Sequence, residues 1–103
     1  MSADLWLQDD KGEVSETYNI TYNLTPMLKA AGYPGHQQML GAPATEAGGV
    51  FRRVADTLIA DPDRFTEYLP SNGWGTHEQA VVFCALMAEE CKEHPTATIG
   101  GWL

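Results

Sequence analysis

Hydrophobic and polar side chains alternate along two stretches near the N-terminus, which is the pattern of half-buried β-strands. The first predicted strand covers Leu5–Gln8 and the second covers Val14–Tyr22, with the turn-forming residues DDKG between them. The chain is therefore expected to open with a β-hairpin. In its second strand, Tyr18, Ile20 and Tyr22 are predicted to face the core.

The opposite face of the second predicted strand carries Asn19, Thr21 and Asn23. Asparagine is depleted in strands, so two amides on one face need an explanation. One interpretation makes them contacts for a ligand or partner. The other makes them scaffolding that satisfies the backbone of an irregular covering segment, and we favour this second interpretation.

The middle of the chain begins with LTPMLKAAG, a predicted short helix that Thr25 caps, that has Pro26 in its first turn and that Gly32 ends. Segment 32–49 follows, with five glycines, two prolines and no sustained periodicity. It is predicted to be an irregular Gly/Pro-rich loop with at most one helical turn around HQQML. Long loops in small domains tend to carry function, so this segment is a candidate site.

Helical periodicity returns after this loop. An apolar stripe over Val50–Ile59 predicts an amphipathic helix, and a shorter helix is predicted from Asp61–Asp63 to Pro70. The last helix starts with Thr76 and Gln79 at the spacing of a capping box, directly before the run AVVFCALMA. Because this run is apolar on every side, the last helix is predicted to be central and buried.

The C-terminal segment TATIGGWL has the composition of a strand that can join the hairpin. Together these elements predict an α+β fold. It has a small, largely antiparallel sheet, made of the N-terminal hairpin plus the C-terminal strand, with three or four helices packed on one face. A chain of 103 residues is long enough for one core, so residues 1–103 are predicted to form a single globular domain.

The composition adds a strong negative charge to this fold. Fourteen acidic residues against six basic ones give a net charge of −8. This balance disfavours binding to nucleic acid, which needs clustered Lys and Arg, and to an anionic membrane surface. It fits either simple solubility or attraction to a basic partner. The sequence shows no signal-peptide pattern and no long apolar run, so a cytoplasmic location is expected.

Two stretches resemble a group of small proteins encoded by bacteriophages and actinobacteria: YNITYNLTPML near the start and LPSNGWGTHEQAVVFCALMAEECKEHPTATI near the end. In that group a strand containing TYN and an NGWG turn before a helix are the signature. The resemblance covers the two ends well and the central loop poorly. It implies a phage or prophage setting, and hence a host-cell cytoplasm, but no particular activity.

Four residues on or beside the last predicted helix are candidates for a metal site: His77, Cys84, Cys91 and His94. Ligands seven residues apart on one helix are separated by about 10 Å, too far to meet at one ion. Only Cys91 and His94 could share a metal, and they would need two further ligands, for example His36. We therefore expect no metal, no cofactor and no disulfide between the two cysteines.

No arrangement typical of a catalytic site stands out in the sequence. Cys84 lies in an apolar run and Cys91 lies beside acidic residues, and both settings raise the pKa of a thiol. The chain has no nucleophile elbow, no P-loop and no dinucleotide-binding glycine pattern. An enzyme is therefore disfavoured, although the sequence leaves the question open.

Residues suited to binding are easier to find. Trp74 lies between two glycines before the last helix, which leaves its indole unshielded. His36 and Gln37 lie in the predicted loop and offer hydrogen-bonding groups. Acids at the end of the last helix oppose the helix dipole, which fits either a solvated face or the docking of a basic partner. These acids are Glu89, Glu90 and Glu93.

The sequence supports three hypotheses. The leading one is a small acidic, non-enzymatic binding protein that acts on a host protein or a signalling ligand. The second is a protein that binds or sequesters a small, nucleotide-like molecule, or a small enzyme, with a site near segment 32–49. There His36 would be the acid or base, and Asn19 and Asn23 would face the ligand. The third is a structural virion or assembly protein that forms a homo-oligomer.

Overall fold

Strand β1 (Ser2–Asp9) lies at the centre of the sheet in the computed structural model, which describes residues 1–103. Along one edge β1 pairs with β4 (Thr98–Trp102). Along the other edge it pairs with β2 (Gly12–Glu13) and with β3 (Tyr18–Thr21). All three pairings are antiparallel. The α+β fold, with its hairpin and C-terminal strand in one sheet, is confirmed.

Helices pack on one face of this sheet, and the two longest lie against each other. The short helix predicted after the amphipathic one is present, in the tighter 3-10 form. The α-helices are α1 (Thr25–Ala30), α2 (His36–Met39), α3 (Ala44–Ala60) and α4 (His77–Glu93), and the 3-10 helices cover Tyr22–Leu24 and Pro62–Tyr68.

The sheet has one buried face and one open face, because side chains alternate along β1. Ala3, Leu5 and Leu7 are fully buried, whereas Trp6 and Gln8 are half-buried on the opposite face. There the Trp6 Nε1–H donates a hydrogen bond to Gln8 Oε1 at 2.8 Å. A single cluster of 25 buried hydrophobic residues joins the sheet to the helices, so all elements share one core.

The second strand of the hairpin is shorter than its alternation predicts. After Val14 donates its backbone N–H to Leu7 O, the chain leaves the sheet until β3 begins. β3 ends at Thr21, because the Thr21 hydroxyl accepts a hydrogen bond from the Asn23 backbone N–H and caps the 3-10 helix. Tyr22 and Asn23 therefore lie in a helical turn, and their predicted places on the two faces of a strand are wrong.

The Gly/Pro-rich segment 32–49 is not a loop throughout. It contains α2, the predicted helical turn, but α3 begins at Ala44 and includes Gly48 and Gly49. Gly48 faces α4 so closely that an added Cβ would lie 3.0 Å from Cys91 Cβ. The contact between α3 and α4 therefore stabilises a helical turn that its glycines disfavour, and the predicted loop is wrong for residues 44–49.

Helix α4 begins with the predicted capping box, in which Thr76 and Gln79 bond to each other's backbone N–H. The prediction that α4 is buried on every side is wrong. Phe83 and Met87 face the core, but Val82 is 45% exposed and Leu86 is 42% exposed. The apolar run thus leaves a stripe of exposed hydrophobic side chains on the surface.

The predicted N-cap of α1 is also wrong. Leu24 is the N-cap residue and makes no side-chain capping bond, while Thr25 already belongs to the helix. The Thr25 hydroxyl is buried and has no hydrogen-bond partner. The preceding 3-10 helix leads directly into α1, so no separate capping side chain is required.

Candidate functional site

The two edges of the sheet differ in how they are covered. At the β4 edge, Gly41 donates its N–H to Ile99 O at 2.8 Å and Ile99 donates its N–H to Ala42 O at 2.9 Å. The segment before α3 therefore occupies this edge. At the other edge, β3 pairs with β1 alone, and no strand of the chain lies on its outer side.

The hydrogen-bond phase of β3 determines which backbone groups point outward. Tyr22 donates its N–H to Met1 O at 3.2 Å, and the register pairs Ala3 with Ile20. Since bonded and non-bonded pairs alternate in an antiparallel ladder, residues 18 and 20 bond to β1 whereas residues 19 and 21 point away from it. The Asn19 N–H and C=O and the Thr21 N–H consequently face outward, without a partner in the chain.

A groove runs between this open strand edge and helix α4, and we call it the β3–α4 groove. Its volume is about 530 Å³, within the range of ligand sites, and all four residues of β3 line one wall. Gln79, Val82 and Leu86 contribute to the other wall. The groove thus combines unpaired backbone groups with exposed apolar side chains.

One end of the groove lies beside Trp74, whose side chain is 74% exposed. A shallow pocket at Trp74 shares Thr21, Thr76 and Gln79 with the groove, so the two are continuous. The turn at residues 71–75, which we call the Trp74 turn, is fixed by Asn23, because the Asn23 side chain donates to Trp74 O at 3.1 Å. Asn23 is therefore scaffolding, for this turn and not for the predicted loop.

We expect Gly75→Ala to lower the free energy of unfolding by about 2–3 kcal/mol. Gly75 has a φ of +127°, and an added Cβ would lie 3.0 Å from Leu24 Cγ. The matched control is Gly73→Ala, because Gly73 also has a positive φ, +76°, but open space around it. That variant should lose only about 1 kcal/mol. Urea denaturation measures both, and equal losses would contradict the packing of Gly75 under the turn.

The other end of the groove is acidic. The Tyr18 hydroxyl donates to Glu90 Oε2 at 2.9 Å and so joins β3 to the last turn of α4. Burial and this hydrogen bond raise the pKa of Tyr18 to about 12, and the negative charges of Glu16 and Glu93 act in the same direction. We call Glu16, Glu90 and Glu93 the acidic end of the groove.

Three possible metal ligands meet at this acidic end. One side-chain ligand atom each of Glu90, Glu93 and His94 lies within 4.8 Å of the others. The group has three members, one fewer than a closed structural zinc site requires. Cys91, the partner predicted for His94, is buried beside Gly48, and burial and the charge of Glu90 raise its pKa to about 11.

The structure brings some of the predicted site residues together and separates others. Trp74, Glu90 and Glu93 lie at the two ends of the groove, and the Asn19 backbone lines it. The Asn19 side chain is exposed and bonds instead to Ser2 Oγ and Asp4 Oδ1. Asn19 therefore presents its backbone to the groove, not its amide.

The remaining predicted residues lie outside the groove. Gln37 is exposed on α2. Glu89 points toward α3, where one of its carboxylate oxygens lies 3.9 Å from the Arg52 guanidinium. His36 is buried in the core, so it is not available as an acid or base for a ligand in solution.

His36 belongs to an aromatic cluster underneath the groove. Its ring lies 5.9 Å from Tyr22 and 6.2 Å from Phe83, between ring centroids. The Tyr33 hydroxyl bonds to its Nδ1 at 2.8 Å, and its Nε2 has no partner. Burial, together with the charge of Lys29, lowers the pKa of His36.

Sequence reasoning missed the residues of the helix wall. The apolar run predicts Val82 and Leu86 in the core and gives no role to Glu78, whereas in the structure all three line the groove. A signal was present in the sequence, because Glu78, Val82, Leu86 and Glu90 follow one another at spacings of four residues and so share one helix face. A face that begins and ends with an acid is not a wholly buried one.

Comparisons with protein-family models, with curated proteins and with solved structures found no match to this chain. None of its helices has both the length and the apolar content needed to cross a membrane.

Proposed function

We propose that this protein is a non-enzymatic binding module that accepts an extended segment of a partner protein as an additional strand on β3. One observation carries the proposal: the outward backbone groups of Asn19 and Thr21 lie unpaired along the β3–α4 groove. An exposed strand edge is a template for another chain, and natural proteins usually cover or blunt such edges. Here the β4 edge is covered and the β3 edge is not.

The helix wall supports a strand as the occupant. Alternate side chains of a strand added to β3 would point to the side of the sheet on which the helices pack, toward Val82 and Leu86. Their burial would contribute apolar stabilisation, while the backbone bonds to Asn19 and Thr21 would fix the register. Several peptide-binding domains use this combination of an edge strand and side-chain pockets.

The other two hypotheses are less well supported by the groove. A small ligand needs convergent polar side chains in an enclosed pocket, whereas the Asn19 amide points away and His36 is buried. A homo-oligomer formed through β3 would bring two chains of net charge −8 together at an edge with acidic residues. A partner segment of different charge avoids this repulsion.

The partner is a host protein in this proposal, in keeping with the resemblance to small bacteriophage proteins, and binding takes place in the cytoplasm. Both cysteines are free thiols, as is usual in a reducing compartment. Burial raises the pKa of Cys84 to about 12, which leaves its thiol inert. The function therefore depends on the surface of the groove and on no reactive side chain.

The test is an NMR titration with the neutral peptide acetyl-QSVSVSQ-amide, whose valines share one face when extended. We expect its addition to shift the amide signals of Asn19 and Thr21 and the methyl signals of Val82 and Leu86. For a peptide that runs antiparallel to β3, N-methylation of the central serine should abolish binding, because in that orientation the serine N–H faces β3 when the valines face α4. N-methylation of one valine should be tolerated. Equal effects of the two N-methylations would contradict strand addition.

One double variant and one control variant distinguish binding in the groove from nonspecific hydrophobic binding. Val82→Ser with Leu86→Ser should weaken peptide binding about tenfold or more, since each exposed side chain contributes about 1 kcal/mol when covered. Ile59→Ser is the control, because Ile59 is an exposed hydrophobic residue of α3, 56% exposed, that does not line the groove. If the Asn19 and Thr21 amide hydrogens of the peptide-free protein exchange slowly with solvent, and the protein has the mass of a dimer, a second copy of the chain would instead be favoured as the occupant of the β3 edge.

A further inference from the structure

We infer that the β3–α4 groove selects an extended segment that carries a Lys or Arg at each end and hydrophobic residues between them. This inference rests on the proposed function and adds the chemistry of the partner. It follows from three properties of the groove: the charge at each end, the apolar middle and the distance between the ends.

The charge around the groove has one sign. None of the six basic residues of the chain lines it, whereas Glu78 does, in the first turn of α4. At the same end of the groove, the exposed Trp74 indole offers an aromatic face over which a cation can lie. A Lys or Arg at this end would meet a carboxylate and an indole together.

The acidic end at the opposite side of the groove offers more negative charge. Glu90 is already bonded to the Tyr18 hydroxyl. Glu16 and Glu93 are exposed, and their charges act on the same hydroxyl. A cation placed there would relieve the repulsion among these carboxylates. Among these three carboxylates only Glu90 has a basic side chain within 4.0 Å, and that side chain is His94, whose Nε2 lies 4.0 Å from Glu90 Oε1.

The distance between the two ends sets the spacing of the two cations. Glu78 and Glu90 lie twelve positions apart on α4, which is about 18 Å along the helix axis. An extended segment rises about 3.3 Å per residue, so five or six residues span this length. Side chains on the same face of a strand are an even number of residues apart, which favours cations six positions apart with two hydrophobic residues between them on that face.

The peptide acetyl-KSVSVSK-amide has this pattern, and acetyl-QSVSVSQ-amide is its neutral counterpart. We expect the lysine peptide to bind about five- to twentyfold more tightly in 50 mM salt, because an exposed charge pair changes affinity about two- to fivefold and two ends contribute. In 500 mM salt most of this advantage should disappear. The glutamate peptide acetyl-ESVSVSE-amide should show no binding.

Net charge alone could attract a basic peptide, so spacing needs its own control. Acetyl-VSKSKSV-amide has the same composition and charge as the lysine peptide, but its lysines are two positions apart and lie opposite the apolar middle. It should bind at least fivefold more weakly than acetyl-KSVSVSK-amide. Equal affinities would overturn the placement of cations at the two ends.

Glu→Gln variants test which carboxylates bind the cation at each end of the groove. Glu78→Gln should weaken the lysine peptide two- to fivefold more than it changes binding of the glutamine peptide, and Glu16→Gln with Glu93→Gln should do the same while keeping the Tyr18–Glu90 bond. Glu46→Gln is the control, since Glu46 lies in the first turn of α3, outside the groove. Equal binding of the lysine and glutamine peptides would overturn the inference but leave strand addition standing. Failure of both peptides to shift the Asn19 and Thr21 amides would overturn both.

Discussion

Phe51→Ala is expected to lower the free energy of unfolding by about 3–5 kcal/mol, a large share of the stability of a domain of this size. Phe51 is fully buried in α3, and its ring lies 5.8 Å from Tyr33 and 6.0 Å from Phe83. Truncation removes two aromatic contacts and leaves a cavity between α3 and α4, which collapses only in part because both helices are held by other contacts. Urea denaturation at pH 7.5 measures the loss.

Ile59→Ala is the matched control for this prediction. It removes a large hydrophobic side chain from the same helix, but Ile59 is 56% exposed and leaves no cavity. We expect a loss below about 1 kcal/mol. Because Phe83 also lines the β3–α4 groove, Phe51→Ala should weaken peptide binding as well, whereas Ile59→Ala should not. Similar losses for the two variants would show that the aromatic cluster is not the centre of the core.

The parts of the fold that follow from short-range interactions could be predicted from the sequence. Alternation in β1 and the spacing of Thr76 and Gln79 each reflect contacts between neighbouring residues, and both the strand and the capping box are present. The sheet follows from them, because a C-terminal strand with a hydrophobic pattern has few places to pair other than the hairpin.

The start of α3 could not be predicted in the same way. Each glycine disfavours a helix by about 1 kcal/mol relative to alanine, so Gly48 and Gly49 suggested a loop. The stabilisation that reverses this preference comes from packing against α4, which contacts Gly48 through Cys91, a residue distant from Gly48 in the sequence. No local pattern reports a contact between residues so distant in sequence.

The groove could not be predicted from the sequence for a related reason. Its walls are β3 and α4, which are separated in sequence by all of the other helices, and the openness of β3 depends on which edge of β1 the C-terminal strand takes. Apolar periodicity also cannot distinguish a core position from an exposed groove position, so the pattern predicts Val82 and Leu86 to be in the core. Trp74 and the acids Glu90 and Glu93 could be found, because exposure of an indole and unfavourable charge at a helix end are local features.

We expect the stability of the protein to fall as the pH drops below about 6.5, with His36 as a main cause. Burial lowers the pKa of His36 in the folded protein, whereas the unfolded chain has the ordinary value. Above pH 7.5 the His36 side chain is neutral in both the folded and the unfolded protein, so it contributes no pH dependence. Below about 6.5 the unfolded chain takes up a proton that folded His36 resists, so the free energy of unfolding decreases by up to about 1.4 kcal/mol per pH unit.

The contribution of His36 is isolated by comparing two variants between pH 7.5 and pH 5. His36→Leu removes the titrating group, so its stability should fall less steeply with pH than that of the wild type. Tyr33→Phe removes only the hydroxyl that bonds to His36 Nδ1, so it should lower stability by about 1 kcal/mol at pH 7.5 and keep the wild-type slope. Carboxylates titrate alike in all three proteins, and their effect cancels in the differences. If His36→Leu keeps the full slope, the acid sensitivity arises elsewhere, and the cluster under the groove remains intact at pH 5.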